Sequence, residues 1–417
     1  LLLGGPGGFT VDREFPGARG RTSGAVFVDL DGDGALDLVV ARNVRDAPRG
    51  RAPSEVLRNL GDGKFERATT FDEPAGARAI GVLDFDADGR DDLFVLEDRW
   101  SGSSSVLLHN EGGFRFRDVT ADRGLPLHLE GLGVSTADVT GDGRPDLFVS
   151  GSNRLFVATA DGTFDGANSS VFAWQSHGSE DDPGGVAAGD LDGDGRIDLV
   201  VGQHFGSTTD QDRRVPVRVF MNHAGPTSDR PRFEELGARA GLDGLRSRAP
   251  HVEIADFDAD GRPDILVGVA TDAGVPLVYR NVGGVGSDLT FEAVAPQHGV
   301  EYWAAGVVAD FDHDGRLDVA LASFDASRPS VLVRNTASSG HWWAIAARAG
   351  AAVTLHDPSG NETRATVSGS TGFSSGPAPI AWFGLATATR GRATVQFADG
   401  THAAVVLRSD TLVRLDC

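Results

Sequence analysis

The pattern DLDGDGALD, residues 29–37, constrains this chain more than any other feature of it. Aspartates stand at positions 1, 3, 5 and 9 of a nine-residue loop, with Gly34 at position 6 and an apolar run behind it. Carboxylates at that spacing repel one another unless a cation sits among them. The pattern returns five times, starting at Asp84, Asp138, Asp190, Asp256 and Asp310. Successive starts lie 55, 54, 52, 66 and 54 residues apart. A near-constant period of this length marks a repeat architecture.

Each unit keeps one internal order. A small apolar segment such as AVFV precedes the loop and another such as DLVVA follows it. A third comes next (EVLRNL, SVLLHN, RVFMNH, LVYRN, SVLVRN), and often a fourth, such as KFERATT or FRFRDVT. Short runs rich in Val, Leu and Phe, bounded by Gly, Asp and Asn, follow the strand pattern. Four short strands per unit make one blade of a β-propeller, which needs neighbours in a ring to bury both faces. The 66-residue gap contains SDRPRFEELGARAGLDGLRSRAP, which reads as a loop insertion. The N-terminal LLLGGPGGFTVDREF resembles the back half of a unit. That predicts N-terminal strands completing a blade with C-terminal ones, giving seven blades, with six as the alternative.

Calcium takes six to eight oxygens, and the loops offer them. The carboxylates are Asp29, Asp31, Asp33 and Asp37, then Asp84, Asp86, Asp88 and Asp92. The third loop has Asp138, Asp142 and Asp146, with Thr140 where an aspartate is expected, so it is the weakest site. The others have Asp190, Asp192, Asp194 and Asp198; Asp256, Asp258, Asp260 and Asp264; and Asp310, Asp312, Asp314 and Asp318. Position 7 would add a backbone carbonyl, from Ala35, Arg90, Arg144, Arg196, Arg262 and Arg316, with the arginine side chains pointing outward. An EF-hand would need a glutamate at position 12 and flanking helices; here position 12 is Val or Leu within a strand. A solvated acidic turn is the plain alternative, since Asp and Gly favour turns. Six such loops in phase with the repeat favour up to six Ca²⁺ sites.

The net charge of −22 fits this reading and argues against a nucleic-acid partner, which needs a basic patch. No apolar run approaches the length of a membrane span. Cys417 is the only cysteine, so the chain has no internal disulfide. It begins at Leu1 without a basic, cleavable leader, which reads as a mature or trimmed chain.

These loops resemble the FG-GAP/VCBS repeat family, related to the integrin α-subunit head, over residues 9–336. Residues 341–417 resemble the ASPIC/UnbV domain, through HWWAIAARAGAAVTL, VSGSTGFSSGPAPIAWFGLA and RATVQFADGTH. Phe397-Ala-Asp-Gly400 departs from that domain's usual W-P-x-G ending. Together the parts resemble the cartilage acidic protein family in its bacterial branch. The expected fold is all-β: a calcium-loop β-propeller over 1–338 and a small β-domain over 339–417. The resemblance implies a secreted or periplasmic calcium-binding protein. With one cysteine, these residues are not expected to include the EGF-like module of some animal members.

Propellers often bind ligands where loops lead into the innermost strands. Here those loops carry Arg21, Arg78, Glu130, His177, Glu180, Asp181, Asp182, Arg248, His251 and Trp303. Catalytic candidates are His251, Trp303, Glu130, Arg78 and Arg248, against the alternative of a solvated rim. No nucleophile elbow, zinc-protease, P-loop or dinucleotide motif is present. Two functions follow. One is a monomeric scaffold that binds a surface or matrix protein or a carbohydrate. The other is a calcium-dependent lyase, cyclase or hydrolase, for instance of natural-product biosynthesis, that takes a small molecule at the channel mouth.

Overall fold

The computed structural model describes residues 1–5, 8–44, 52–98, 104–166, 172, 182–204, 217–223, 230–242, 251–268, 278–295, 304–323, 327, 329–337, 340–356, 360, 362–371 and 376–415. Each repeat folds into an antiparallel meander. The inner strands are Thr22–Val28, Ala77–Leu83, Gly131–Ala137, Asp182–Gly189, Val252–Ala255 and Ala304–Ala309. Each feeds an Asp loop and then a second strand, and among the described residues the sheets contain four strands in blades one to five and three in blade six. Inner strands converge near the ring axis, so they need small side chains. A Cβ at Gly81 would lie 3.3 Å from Val134 and Thr136 of the next inner strand, and one at Gly189 3.1 Å from Ile254.

The second strands carry the opposite signature. Asp37–Arg42 and Asp92–Glu97 are buried at every position. Neighbouring blades cover both their faces, which is why DLVVAR and DLFVLE are continuous apolar runs instead of alternating ones. Val39, Val56, Val82, Leu93 and Val95 of blades one and two form one cluster across the blade boundary. Full burial of each such side chain is worth about 1.5–3 kcal/mol. The outermost strand of blade one, Phe65–Phe71, is mostly exposed or half-buried.

Two expectations need correction. Among the described residues, Leu2–Gly5 and Gly8–Val11 pair with each other alone, as a two-stranded sheet. Among the described residues they do not complete a blade with C-terminal strands, because the chain after blade six runs on into the C-terminal sheets. Phe9 packs edge-on against Phe311 of blade six, 6.1 Å between centroids, and Leu3 lies against Gly63 of blade one, so the hairpin touches both ends of the ring. The long gap is also more than an insertion. Phe233–Glu235 within it is the fourth strand of blade four, followed by a 3-10 turn at Gly237–Ala240.

The C-terminal residues form two sheets. One holds His341–Ala346 between Ile380–Ala386 and a parallel Thr411–Arg414. The other orders Glu362–Thr366, Ala352–His356, Arg390–Gln396 and His402–Arg408. Trp343, Ile345, Val353, Phe383 and Val395 are buried between them. This domain seats on the loop face of the ring. Ser370 reaches the inner strand of blade two, donating to Ile80 O at 2.6 Å and accepting from Val82 N at 3.1 Å.

Candidate metal centres on the loop face

The Asp loops are built from their own backbone. The position-1 carboxylate accepts the amides that close the turn: Asp29 takes Asp33 N at 3.2 Å and Gly34 N at 2.9 Å, and Asp190 takes Asp194 N and Gly195 N at 3.1 and 3.0 Å. The glycine at position 6 has positive φ in every loop, 82–91°. It also leaves room: a Cβ at Gly315 would lie 2.0 Å from Trp342 Nε1, and one at Gly143 the same distance from Gln396 Nε2. At Gly143 and Gly315 the glycine therefore serves the turn and the seating of the C-terminal domain together.

Position 9 clamps rather than merely lines the loop. Asp198 accepts from Leu191 N at position 2, at 3.0 Å, and from Asn222 N of the third strand at 2.8 Å. Asp37, Asp92, Asp146, Asp264 and Asp318 make the same pair of bonds. The asparagine ending the third strand completes the joint by reaching into the preceding blade. Asn281 Nδ2 donates to Leu191 O at 2.8 Å, Asn222 to Val139 O at 2.8 Å, Asn110 to Leu30 O at 3.0 Å and Asn335 to Phe257 O at 2.7 Å. The sequence carried this signal in the N that ends LLHN, VFMN, VYRN and VLVRN, but only the ladder between blades gives it a role.

At positions 1, 3 and 5 the carboxylates converge. One oxygen from each of Asp29, Asp31 and Asp33 lies within 4.8 Å of the other two, and the same holds for the trios starting at Asp84, Asp190 and Asp256. His109 Nδ1 joins Asp86 and Asp92 in blade two. Thr140 Oγ1 donates to Asp138 at 3.4 Å, a hydroxyl in place of the missing carboxylate. The arginines at position 7 do not point free into solvent as expected. Arg90, Arg144, Arg196, Arg262 and Arg316 each turn back to hydrogen-bond the position-5 carboxylate of their own loop. Four of them also donate to the backbone carbonyl of the third-strand asparagine. A guanidinium finds more in two fixed acceptors than in water alone.

Burial raises the carboxylates at position 9 of every loop and at position 1 of loops two to five. It lifts Asp37, Asp84 and Asp190 to about 6, with neighbouring loop aspartates pushing the same way. It lifts Asp264 to about 7, Asp256 to about 8 and Asp92 to about 9, and raises Asp146 and Asp198 well above the ordinary range. Asp91, where the other loops have Leu, Pro or Ile, is buried and raised to about 8 by the same cause. Carboxylate oxygens converging in front of a buried, desolvated aspartate favour a bound cation.

The C-terminal domain covers this face. Arg364 N donates to Asp190 Oδ2 at 3.1 Å, and the Arg348 guanidinium stands 3.7 Å from Asp84 Oδ2. Gly340 N and Ala386 N donate to the carbonyls of Asp258 and Ala259, at 3.2 and 2.9 Å. Two cavities lie at this junction. One of about 150 Å³ is lined by Glu253, Val308, Arg364 and Trp382, and one of about 260 Å³ by Asp138, Thr140, Asp194, Glu362 and Gln396.

The inner-strand candidates do not come together there, and neither cavity is lined by His251, Glu130 or Arg78. His251 is fully buried, its Nε2 2.8 Å from Glu253 Oε1, and Glu253 also accepts from Val308 N. Arg78 sits on a bulge and faces Asp98 at 3.6 Å. Glu130 forms a bridge with Glu97, and its carbonyl accepts from Ser152 Oγ. Arg21 precedes the first inner strand, and Asp182 opens the fourth. His177, Glu180, Asp181, Arg248 and Trp303 lie outside the described residues.

Radial meanders, each hinged on an Asp loop, define a loop-bearing β-propeller with a capping β-domain. The family model for the FG-GAP-like repeat matches residues 29–95, 84–149, 138–201 and 256–321. The chain belongs to that family, as an FG-GAP propeller with an UnbV-type C-terminal domain. It is 25% identical over 420 residues to cartilage acidic protein 1 of Homo sapiens, covering 92% of this chain and 60% of that one. The Mus musculus protein of the same name is 24% identical over 419 residues, covering 92% and 62%. The chain thus spans about three-fifths of the length of these relatives. Among solved structures, the V. cholerae biofilm matrix protein Bap1 overlaps with a TM-score of 0.30 at 12% identity, over 93% of this chain and 57% of that one. A β-fructofuranosidase from Schwanniomyces occidentalis gives 0.35 at 8% identity, over 95% and 90%. Overlaps this loose carry no argument.

Proposed function

We propose that this chain is an extracytoplasmic, calcium-stabilised binding scaffold for a surface protein, a matrix protein or a carbohydrate. The observation that carries the calcium reading is the convergence of carboxylates at positions 1, 3 and 5 of loops repeated in phase with the blades. Asp29, Asp31 and Asp33, and their counterparts in the other loops, would hold the ion, with the position-9 aspartate close behind. Calcium there supplies charge neutralisation and rigidity. The same loop face seats the C-terminal domain, so a partner is expected on the opposite face or the outer blade edges. The scaffold reading is supported by the relatives named cartilage acidic protein and by the full burial of His251 beside Glu253.

Calcium that binds only the folded chain stabilises it by about 2.7 kcal/mol per site at a hundredfold excess over Kd. The melting midpoint should therefore fall clearly in EGTA and recover on adding calcium but not magnesium, which demands a tighter octahedron. An identical midpoint with and without EGTA would refute the calcium reading. Binding to arrays of polysaccharides and immobilised matrix proteins, in calcium and in EGTA, tests the scaffold reading.

A further inference from the structure

The residue just before the third-strand asparagine lies beside the loop of its own blade, and its identity changes around the ring. In blade one it is Arg58, with one guanidinium nitrogen 2.9 Å from Asp31 Oδ2 and 3.2 Å from Asp33 Oδ2. In blade six it is Arg334, 2.6 Å from Asp312 Oδ2 and 3.0 Å from Asp314 Oδ2. In blade five it is Arg280, 3.8 Å from Asp258 Oδ2. Blade two has His109, 3.6 Å from Asp86 Oδ2. Blades three and four have Val157 and Met221, both buried and without charge. Blade three also lacks the position-3 carboxylate. Blade four alone thus joins a full set of four aspartates to an uncharged residue at this position.

We propose that this position sets the calcium affinity of each loop: Arg58 and Arg334 are built-in counter-ions that weaken loops one and six, and the loop of blade four is the tight site. The inference rests on the calcium reading above. A fixed unit charge touching two prospective ligands repels an incoming dication and occupies oxygens it would need. The position-7 arginine cannot make this distinction, since loops two to six all have it. Arg58 and Arg334 are 39% and 60% exposed, so solvent screens them and the penalty is about tenfold in affinity rather than thousands.

Calorimetric titration of calcium into the full chain, with melting curves alongside, tests this. The wild type should show a tight class that Asp192→Asn removes. Arg58→Met and Arg334→Met should each tighten one weak site about tenfold and raise the tight stoichiometry by one. Arg58→Lys keeps the charge and should titrate like wild type, which separates charge from packing; Arg58→Gln serves if the Met variant does not fold. Six equivalent sites in the wild type, or unchanged titrations in both Arg→Met variants, would overturn the proposal while leaving calcium binding intact. A wild type that binds no calcium would overturn both.

Discussion

Glu55 shows how a single charge is kept inside the first blade. It is 1% exposed, yet it accepts from Arg42, from Arg67 Nε at 2.7 Å and from Ala18 N at 2.8 Å. Burial raises its pKa, but the hydrogen bonds from Arg67 and Arg42 outweigh this and leave it below the ordinary glutamate value. The folded carboxyl therefore holds its proton less tightly than the unfolded one. The stabilisation is complete above the unfolded value and disappears as pH falls through the folded one. Glu55→Gln should cost about 3–5 kcal/mol at neutral pH, because Arg42 is left buried and uncompensated. Urea melts should show the gap to wild type closing as pH drops below the carboxylate range; a gap independent of pH would contradict it. The sequence did not reveal this pair, because Glu55 and Arg42 sit on adjacent strands 13 residues apart, within otherwise apolar runs.

At the scale of the element, the loop and the asparagine after it make one joint between blades. Asn281→Ala removes buried donations to Leu191 O and Pro263 O and should cost about 1–3 kcal/mol. Asn59 donates to Leu36 O within its own blade, with no bond to another blade among the described residues. Asn59→Ala should therefore cost less than Asn281→Ala, and equal losses in a denaturant titration would contradict the joint. The loops themselves were readable because their spacing is local: carboxylates two residues apart in a tight turn converge whatever the rest of the chain does. The side-chain direction of Arg90 or Arg196 was not readable, because the asparagine carbonyl that holds it comes from another strand.

For the whole molecule, the C-terminal domain is part of the ring's stability. Ser370 caps the Ile80 carbonyl and the Val82 amide, both on a buried inner strand. Ser370→Ala leaves them without this partner, costs about 1–3 kcal/mol and should lower the melting midpoint of the full chain by a few degrees. An unchanged midpoint would mean that the domain rests on the ring without bracing it. The sequence by itself determined the all-β class, the repeat, the aspartate loops and the presence of a distinct C-terminal piece, because period, turn residues and apolar runs act over a few neighbours. Only the tertiary structure decided that the N-terminal hairpin pairs with itself and bridges blades one and six, that His251 is buried beside Glu253, and that the C-terminal domain packs on the loop face. Those outcomes depend on which surfaces meet across hundreds of residues, and no local pattern encodes that meeting.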